Sequence, residues 1–397
     1  MVGLRNSQPM AGGVTGRPWR LPMVARDTAE AERAATPLEL FFDLCFVVAV
    51  AQASGRLHHA VADGGAGSAV VSYVLVFFAI WWAWMNFTWF SSAYDNDDVP
   101  YRLLTFVQIV GVLILAAGVP RAFDDRNFDV VFIGYLVMRV GLVSLWLRAA
   151  RHDVAHRTTA LRYAAGISLL MVMWLIVLLI GWPAWAFVVG AGLELTVPMV
   201  AERSNRTTWH AHHIAERYGL FTLIVLGESV LAATVAFQHA IDERDPEVML
   251  YVTAAAGVVL VFSMWWLYFS KPAQWFLTSM KIAFVWGYGH YFVWGAAAAV
   301  GAGLAVNVDR ATHHTSVSSA YAGASVTIPV AVYLVTLWYL QVRPNAPGRM
   351  PTVLHLVAAA LVLASTFTSR PVIPTAVIVA ALVATNVWIH SRAVHTT

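Results

Sequence analysis

The sequence predicts an all-α polytopic integral membrane protein of about twelve transmembrane helices, arranged as two parallel six-helix repeats. Three observations predict it. Of 397 residues, 59% are hydrophobic and only 12% are charged, with a mean hydropathy of +0.66. A soluble domain carries about 25% charge, and no soluble core could hide this much apolar surface. Apolar runs of the ~20 residues that cross a bilayer recur along the chain. The 17 Trp and 13 Tyr residues cluster near the ends of those runs, where an aromatic belt belongs.

Residues 1–35 are polar and carry Arg5, Arg17, Arg20, Arg26 and Arg33. They lack the apolar stretch of a secretory signal and read as a flexible cytoplasmic tail. The first run, near 38–54, opens on Thr36-Pro37, an N-cap followed by a first-turn proline. Runs near 68–92, 101–120 and 128–149 follow, the last with Arg139 at its middle. The runs near 161–181 and 184–201 are parted by the turn Gly181-Trp182-Pro183, and Glu194 lies within the second of them. The seventh run, near 214–237, holds Glu216, Arg217 and Glu228; the eighth lies near 248–270; the ninth, near 281–306, holds His290. The tenth lies near 316–341, and the last two, near 352–369 and 372–391, are parted by Ser369-Arg370-Pro371.

Lys and Arg in short loops orient the chain. With the N-terminus inside, Arg148, Arg151, Arg157, Arg162, Arg203, Arg206, Lys271, Arg343, Arg349 and Arg392 fall in the cytoplasm. Fewer fall outside, so both termini are expected in the cytoplasm of a plasma-membrane protein. The acidic inside loop Asp95-Asn96-Asp97-Asp98 does not oppose this, because acids contribute little to the rule. The pI near 9.0 reflects these loop cations and gives no reason to expect nucleic acid. The single cysteine, Cys45, excludes an internal disulfide.

Landmarks recur in order along the chain. Glu39 in the first run matches Glu216 in the seventh, and Trp81-Trp82 in the second match Trp265-Trp266 in the eighth. Arg102 opens the third run as Lys281 opens the ninth. Val143-Ser144-Leu145-Trp146 resembles Val335-Thr336-Leu337-Trp338 in the tenth. The expected units are residues 36–205 and 206–397. Six helices per half give both halves one orientation, and binding sites in such folds lie near the midplane between the halves.

Charges sunk in apolar runs cost at least ~2.5 kcal/mol each at the bilayer centre, so they face the protein interior and seek partners. Asp43, Arg139, Glu194, Glu228 and His290 are the candidate pathway residues. Glu39, His213, Glu216 and Arg217 are candidates for its cytoplasmic entrance. Glu39 and Asp43 are four apart and share one helix face, as do His213, Glu216 and Arg217. Arg217 and Glu228 lie on one stripe about three turns apart, or ~16 Å. Arg139 needs a carboxylate, and Glu194 and Glu228 match it in depth. Each acid has a bland reading too: Glu39 complements a helix dipole, and Glu228 or the Glu216–Arg217 pair only ties helices together. The histidines His210, His212 and His213 have no metal-ligand spacing, and no phosphate-cradling loop, Cys pair or nucleophile elbow occurs. No catalytic residue, metal or cofactor is expected.

Three segments together resemble the bacterial low temperature requirement protein A family. They are Thr36-Pro37-Leu38-Glu39-Leu40-Phe41-Phe42-Asp43-Leu44, the stretch from His213-Ile214-Ala215-Glu216-Arg217-Tyr218-Gly219 to Leu226-Gly227-Glu228-Ser229, and Tyr288-Gly289-His290-Tyr291. The resemblance implies a bacterial multi-pass membrane protein associated by name with growth in the cold. It carries no established substrate, catalytic residue or cofactor. The buried charges and the repeat point to a transporter or channel-like protein that moves an ion or small solute, with the lipid bilayer as its surroundings. One alternative is a membrane-embedded metal-dependent enzyme acting on lipid, with His213, Glu216, Glu228 and His290 as ligands. The other is a structural or regulatory membrane protein.

Overall fold

The computed structural model describes residues 19–27, 33–242, 248–275, 277–344 and 349–395. Twelve α-helices follow one another, and no strand occurs among the described residues. They are α1 (Pro37–Ala62), α2 (Ala66–Tyr94), α3 (Val99–Asp124), α4 (Asp129–His152), α5 (Arg157–Leu179) and α6 (Ala184–Ala201), then α7 (Ala211–Asp242), α8 (Val248–Phe269), α9 (Met280–Ala311), α10 (Ser319–Leu337), α11 (Met350–Ala364) and α12 (Val372–His395). A π-helical turn, Trp338–Val342, extends α10.

Among the described residues, eleven helices are long and apolar enough to cross a membrane. Helix α7 is 32 residues long, or ~48 Å, more than the ~30 Å hydrocarbon layer requires. His213 and Arg217 of α7 turn into the bundle, where both are fully buried. The first helix runs eight residues past its expected end. Arg56 and His58 in that extension find carboxylates at Asp124 (2.8 Å) and Asp309 (2.6 Å), so polar residues there do not stop the helix.

The two sets of six helices pack in the same order. In the first, α1 contacts α2 and α3, α3 contacts α4, α4 contacts α5, and α5 contacts α6. In the second, α7 contacts α8 and α9, α9 contacts α10, α10 contacts α11, and α11 contacts α12. The match is incomplete: α12 packs closely on α8, whereas α6 meets α2 through side chains such as Glu194 and Trp82 (2.7 Å), and the α2–α4 and α10–α12 contacts also lack close counterparts. The seam between the sets is formed by α1 and α2 against α7 and α9. Helix α9 is the most deeply enclosed; α6 and α12 are the least. The matched tryptophan pairs differ in surroundings, since Trp81 and Trp82 are buried and Trp265 and Trp266 are exposed on the outer face.

Small residues set the closest crossings. A Cβ on Gly111 of α3 would lie 2.6 Å from the Gly134 carbonyl of α4, and one on Gly303 of α9 would collide with the Ser325 carbonyl of α10. Without side chains at these points the helix backbones touch directly.

The segment before α1 differs from the free tail expected for residues 1–35. The Leu21 amide donates to Asp98 (2.8 Å), Arg148 donates to the Leu21 carbonyl (2.7 Å), and the Arg26 amide donates to the Ala93 carbonyl (3.0 Å). Met23 and Arg33 are buried. Unsatisfied polar groups at the ends of α2, α3 and α4 take up this strand of chain, and an apolar side chain at Met23 anchors it. Residues 1–18 and 28–32 lie outside the described residues. We call the end of the bundle that this segment crosses the tail end, and the opposite one the far end.

Candidate functional site

The seam holds the densest group of buried charge. Thr36 caps α1 in a capping box: its hydroxyl accepts from the Glu39 amide, and the Glu39 carboxylate accepts from the Thr36 amide at 2.8 Å. This arrangement satisfies two otherwise orphaned donors and fixes Glu39 at the mouth of the helix. Its other oxygen, Oε1, lies 3.0 Å from Arg217 Nη1 and 3.1 Å from His213 Nε2. One turn deeper, Asp43 receives Arg217 Nε at 2.9 Å and Nη2 at 2.5 Å, and the Trp84 indole N–H at 2.7 Å. Ser91 and Thr88 on α2 accept the remaining guanidinium N–H groups at 3.3 Å. Glu39, Asp43, His213 and Arg217 are all fully buried.

Arg33 closes the cluster at the tail end. It donates to the carbonyls of Ser91 (2.8 Å) and Ser92, and lies 3.6 Å from Asp95 and 3.8 Å from Glu39. Burial, with Glu39 adding to it, raises the Asp95 carboxyl to about 6. Several buried polar atoms here have no hydrogen-bond partner among the described residues: Arg33 Nε, Asp95 Oδ2, the Tyr101 hydroxyl and His213 Nδ1. Glu216, expected beside Arg217, instead accepts from the Ala35 amide at 3.0 Å. It also lines a cavity of about 360 Å³ at the tail end together with His212 and Lys271. Burial lowers the pKa of the Lys271 ammonium.

The other expected residues fall into separate groups. Arg139 meets Glu194 at 3.0 Å and donates to Asn86 at 3.2 Å. Glu194 also receives the indole N–H of Trp82 (2.7 Å) and Trp174 (3.0 Å). Of the two depth-matched carboxylates the chain offers Arg139, α6 supplies the partner and α7 does not. His290 donates from Nδ1 to the Trp286 carbonyl at 2.7 Å, since that oxygen can only accept, so Nε2 accepts from the Tyr268 hydroxyl at 2.9 Å. Trp286, Trp294 and Tyr218 pack around the ring. Glu228 is half-buried, and no hydrogen bond or ion pair joins it to a described residue. Beside it Gly227 has open space rather than a close helix. His213, Glu216, Glu228 and His290 thus do not come together, and no group of three potential metal ligands occurs among the described residues.

Reasoning from the sequence missed Arg33, Asp95 and the tryptophans Trp82, Trp84 and Trp174. Arg33 and Asp95 stand in polar segments, where a charge carries no cost that would mark it. A buried indole must place its N–H, which was the available signal for the tryptophans.

The family model described as "Bacterial low temperature requirement A protein (LtrA)" matches residues 34–387, nearly the whole chain. Among curated proteins the chain is similar to "Uncharacterized protein RA0937" of Rhizobium meliloti (strain 1021), 30% identical over 267 residues. That match spans 63% of this chain and 61% of the relative's length. No solved structure matches the chain.

Proposed function

The chain belongs to the bacterial low temperature requirement A family, and from that premise we propose that it is a transporter or channel-like protein moving an ion or small solute, with the seam cluster as its coupling site. One observation carries the reading. Three carboxylates (Glu39, Asp43, Asp95) face two guanidiniums (Arg33, Arg217) in a buried space that also holds the imidazole of His213. A proton on Asp95 or His213, or a small cation, balances the remaining negative charge. Exchange of that one charge changes the attraction between α1 and α7, the opening helices of the two six-helix sets. Ionisable groups inside membrane proteins commonly serve such relays. We place the protein in the plasma membrane with both termini cytoplasmic, so the tail end faces the cytoplasm. We further read the two six-helix units as a parallel repeat. Their matching neighbour order supports this reading. Glu228, half-buried and ~16 Å beyond Arg217 along α7, is the next polar step toward the far end.

A structural role is favoured for one group. Arg139 and Glu194 are enclosed by two indoles and an amide that occupy their hydrogen-bonding positions, which suits a lock between α4 and α6.

The test uses purified protein in proteoliposomes loaded with a pH dye, with a proton gradient imposed and Na⁺ or K⁺ supplied on one side. Proton or cation flux is expected, reduced at least tenfold in Asp43→Asn and Glu228→Gln at equal folded amount. Absence of proton, Na⁺ and K⁺ movement in wild type, or equal flux in both variants, overturns the reading.

A further inference from the structure

We propose that the far end of the second six-helix set contains a binding site for a phosphate group, either free or as the headgroup of an anionic lipid. A cavity of about 420 Å³ lies there, where the end of α9, the α9–α10 turn and the turn before α12 meet the start of α8. It falls in the size range of ligand sites. Its lining includes Arg310, His313 and Arg370 together with Ser316 and Ser369. No Asp or Glu is among the described residues that line it. The neighbouring acid, Asp309, is held elsewhere by His58 of α1 at 2.6 Å. Two further hydroxyls in the lining are already committed as donors, Thr253 to the Met249 carbonyl and Thr315 to the Ala62 carbonyl.

The backbone adds to this bias. Helix α12, 24 residues long, starts at Val372, directly after Arg370-Pro371, so its positive end opens on the same space. His313 stands at φ 58°, in the left-handed region that a residue with a side chain seldom adopts. That turn belongs to the cavity wall, which His313 lines together with the two arginines. Two arginines, a histidine, two serines and the start of α12 line one cavity, and a tetrahedral oxyanion is the ligand whose charge they match. The site lies at the opposite end of the bundle from the seam cluster and shares no residue with it.

The experiment uses the full chain in nanodiscs of phosphatidylcholine. In one arm inorganic phosphate is titrated and binding is read by phosphorus NMR line broadening. In the other, phosphatidylglycerol is added to the nanodiscs and retained lipid is counted by native mass spectrometry. Arg310→Gln and Arg370→Gln should each weaken binding about tenfold or more, Arg310→Lys should recover part of it, and Arg349→Gln at the tail end should leave it unchanged. Melting temperatures confirm that the variants are folded. Binding in the first arm alone identifies a free phosphate, and binding in the second alone identifies a lipid headgroup; both support the site. No binding in either arm, or binding that ignores Arg310→Gln and Arg370→Gln, overturns it.

Discussion

Arg217 on α7 grips Asp43 on α1 with both arms of its guanidinium fork, Nε to Oδ2 at 2.9 Å and Nη2 to Oδ1 at 2.5 Å. The pair is fully buried and joins the opening helices of the two six-helix sets. Removing one partner strands the other charge in the interior, which costs about 3–5 kcal/mol. Asp43→Asn and Arg217→Met should therefore each lower thermal stability in nanodiscs markedly. The double variant should recover much of that loss, because no bare charge remains. Additive losses in a double-mutant cycle would show that the two residues act independently and would remove the seam argument.

Asp95 sets a pH dependence whose sign can be worked out. Burial raises its carboxyl to about 6 in the folded protein, against about 4 when unfolded. The folded state therefore holds the proton more tightly. Its contribution is fully present below about pH 4 and is lost as pH rises through about 6, amounting to about 2–3 kcal/mol. The groups facing it are Arg26 and Arg33 from the tail segment, Glu39 from α1, Asp97 in its own turn and Tyr101 from α3. His213 and Arg217 of α7 lie beyond Glu39. Asp95→Asn copies the protonated form, so it should stabilise the protein at pH 7.5 and flatten the stability profile between pH 4 and 6.5. A variant with the slope of wild type would place the titrating group elsewhere.

The helices were legible because the bilayer imposes a length and an apolarity that single residues cannot disguise. The expected sixth run, 184–201, matches α6 end for end. Partner choice was much less legible. The sequence placed Glu194 and Glu228 at similar depth, and the arrangement of the helices, with α7 packed on α1, α8 and α9 rather than on α4, decided that Glu194 meets Arg139. The Asp95-to-Asp98 loop read as an acidic exception to the charge pattern. In three dimensions Arg33 reaches Asp95, Arg102 reaches Asp97 and Arg148 reaches Asp98. The pairings of Asp95 and Asp98 reach to the tail segment and to α4, distances along the chain that periodicity does not report.

Arg139 and Glu194 should behave as a lock. Glu194→Gln places an amide nitrogen, a donor, where a carboxylate oxygen now receives an indole or guanidinium N–H. It also leaves Arg139 unpaired, so a loss of about 3–5 kcal/mol is expected. Ion flux per folded molecule should stay at the wild-type level in Glu194→Gln, whereas Asp43→Asn should lose it. Flux that collapses in Glu194→Gln while its melting temperature holds would return this pair to the conduction path.

The close crossings offer a test of the two-set architecture itself. Gly111 and Gly303 stand at corresponding places, on α3 facing Gly134 of α4 and on α9 facing Ser325 of α10. At both, an added methyl would strike backbone atoms of the facing helix, the Gly134 carbonyl and Met138 amide (beside the Met138 side chain) at Gly111 and the Ser325 carbonyl at Gly303; backbone cannot rotate away, so the helices must part. Overpacking of this kind costs about 1–3 kcal/mol, and Gly111→Ala and Gly303→Ala should lose stability by similar amounts. Gly55 on α1 is the control. A Cβ there meets nothing within 4 Å, and alanine is favoured over glycine inside a helix by about 0.5–1 kcal/mol. Gly55→Ala should therefore hold or raise the melting temperature. A destabilised Gly111→Ala beside an unaffected Gly303→Ala would show that the α9–α10 contact is looser than its α3–α4 counterpart, and that matching neighbour order does not extend to matching packing.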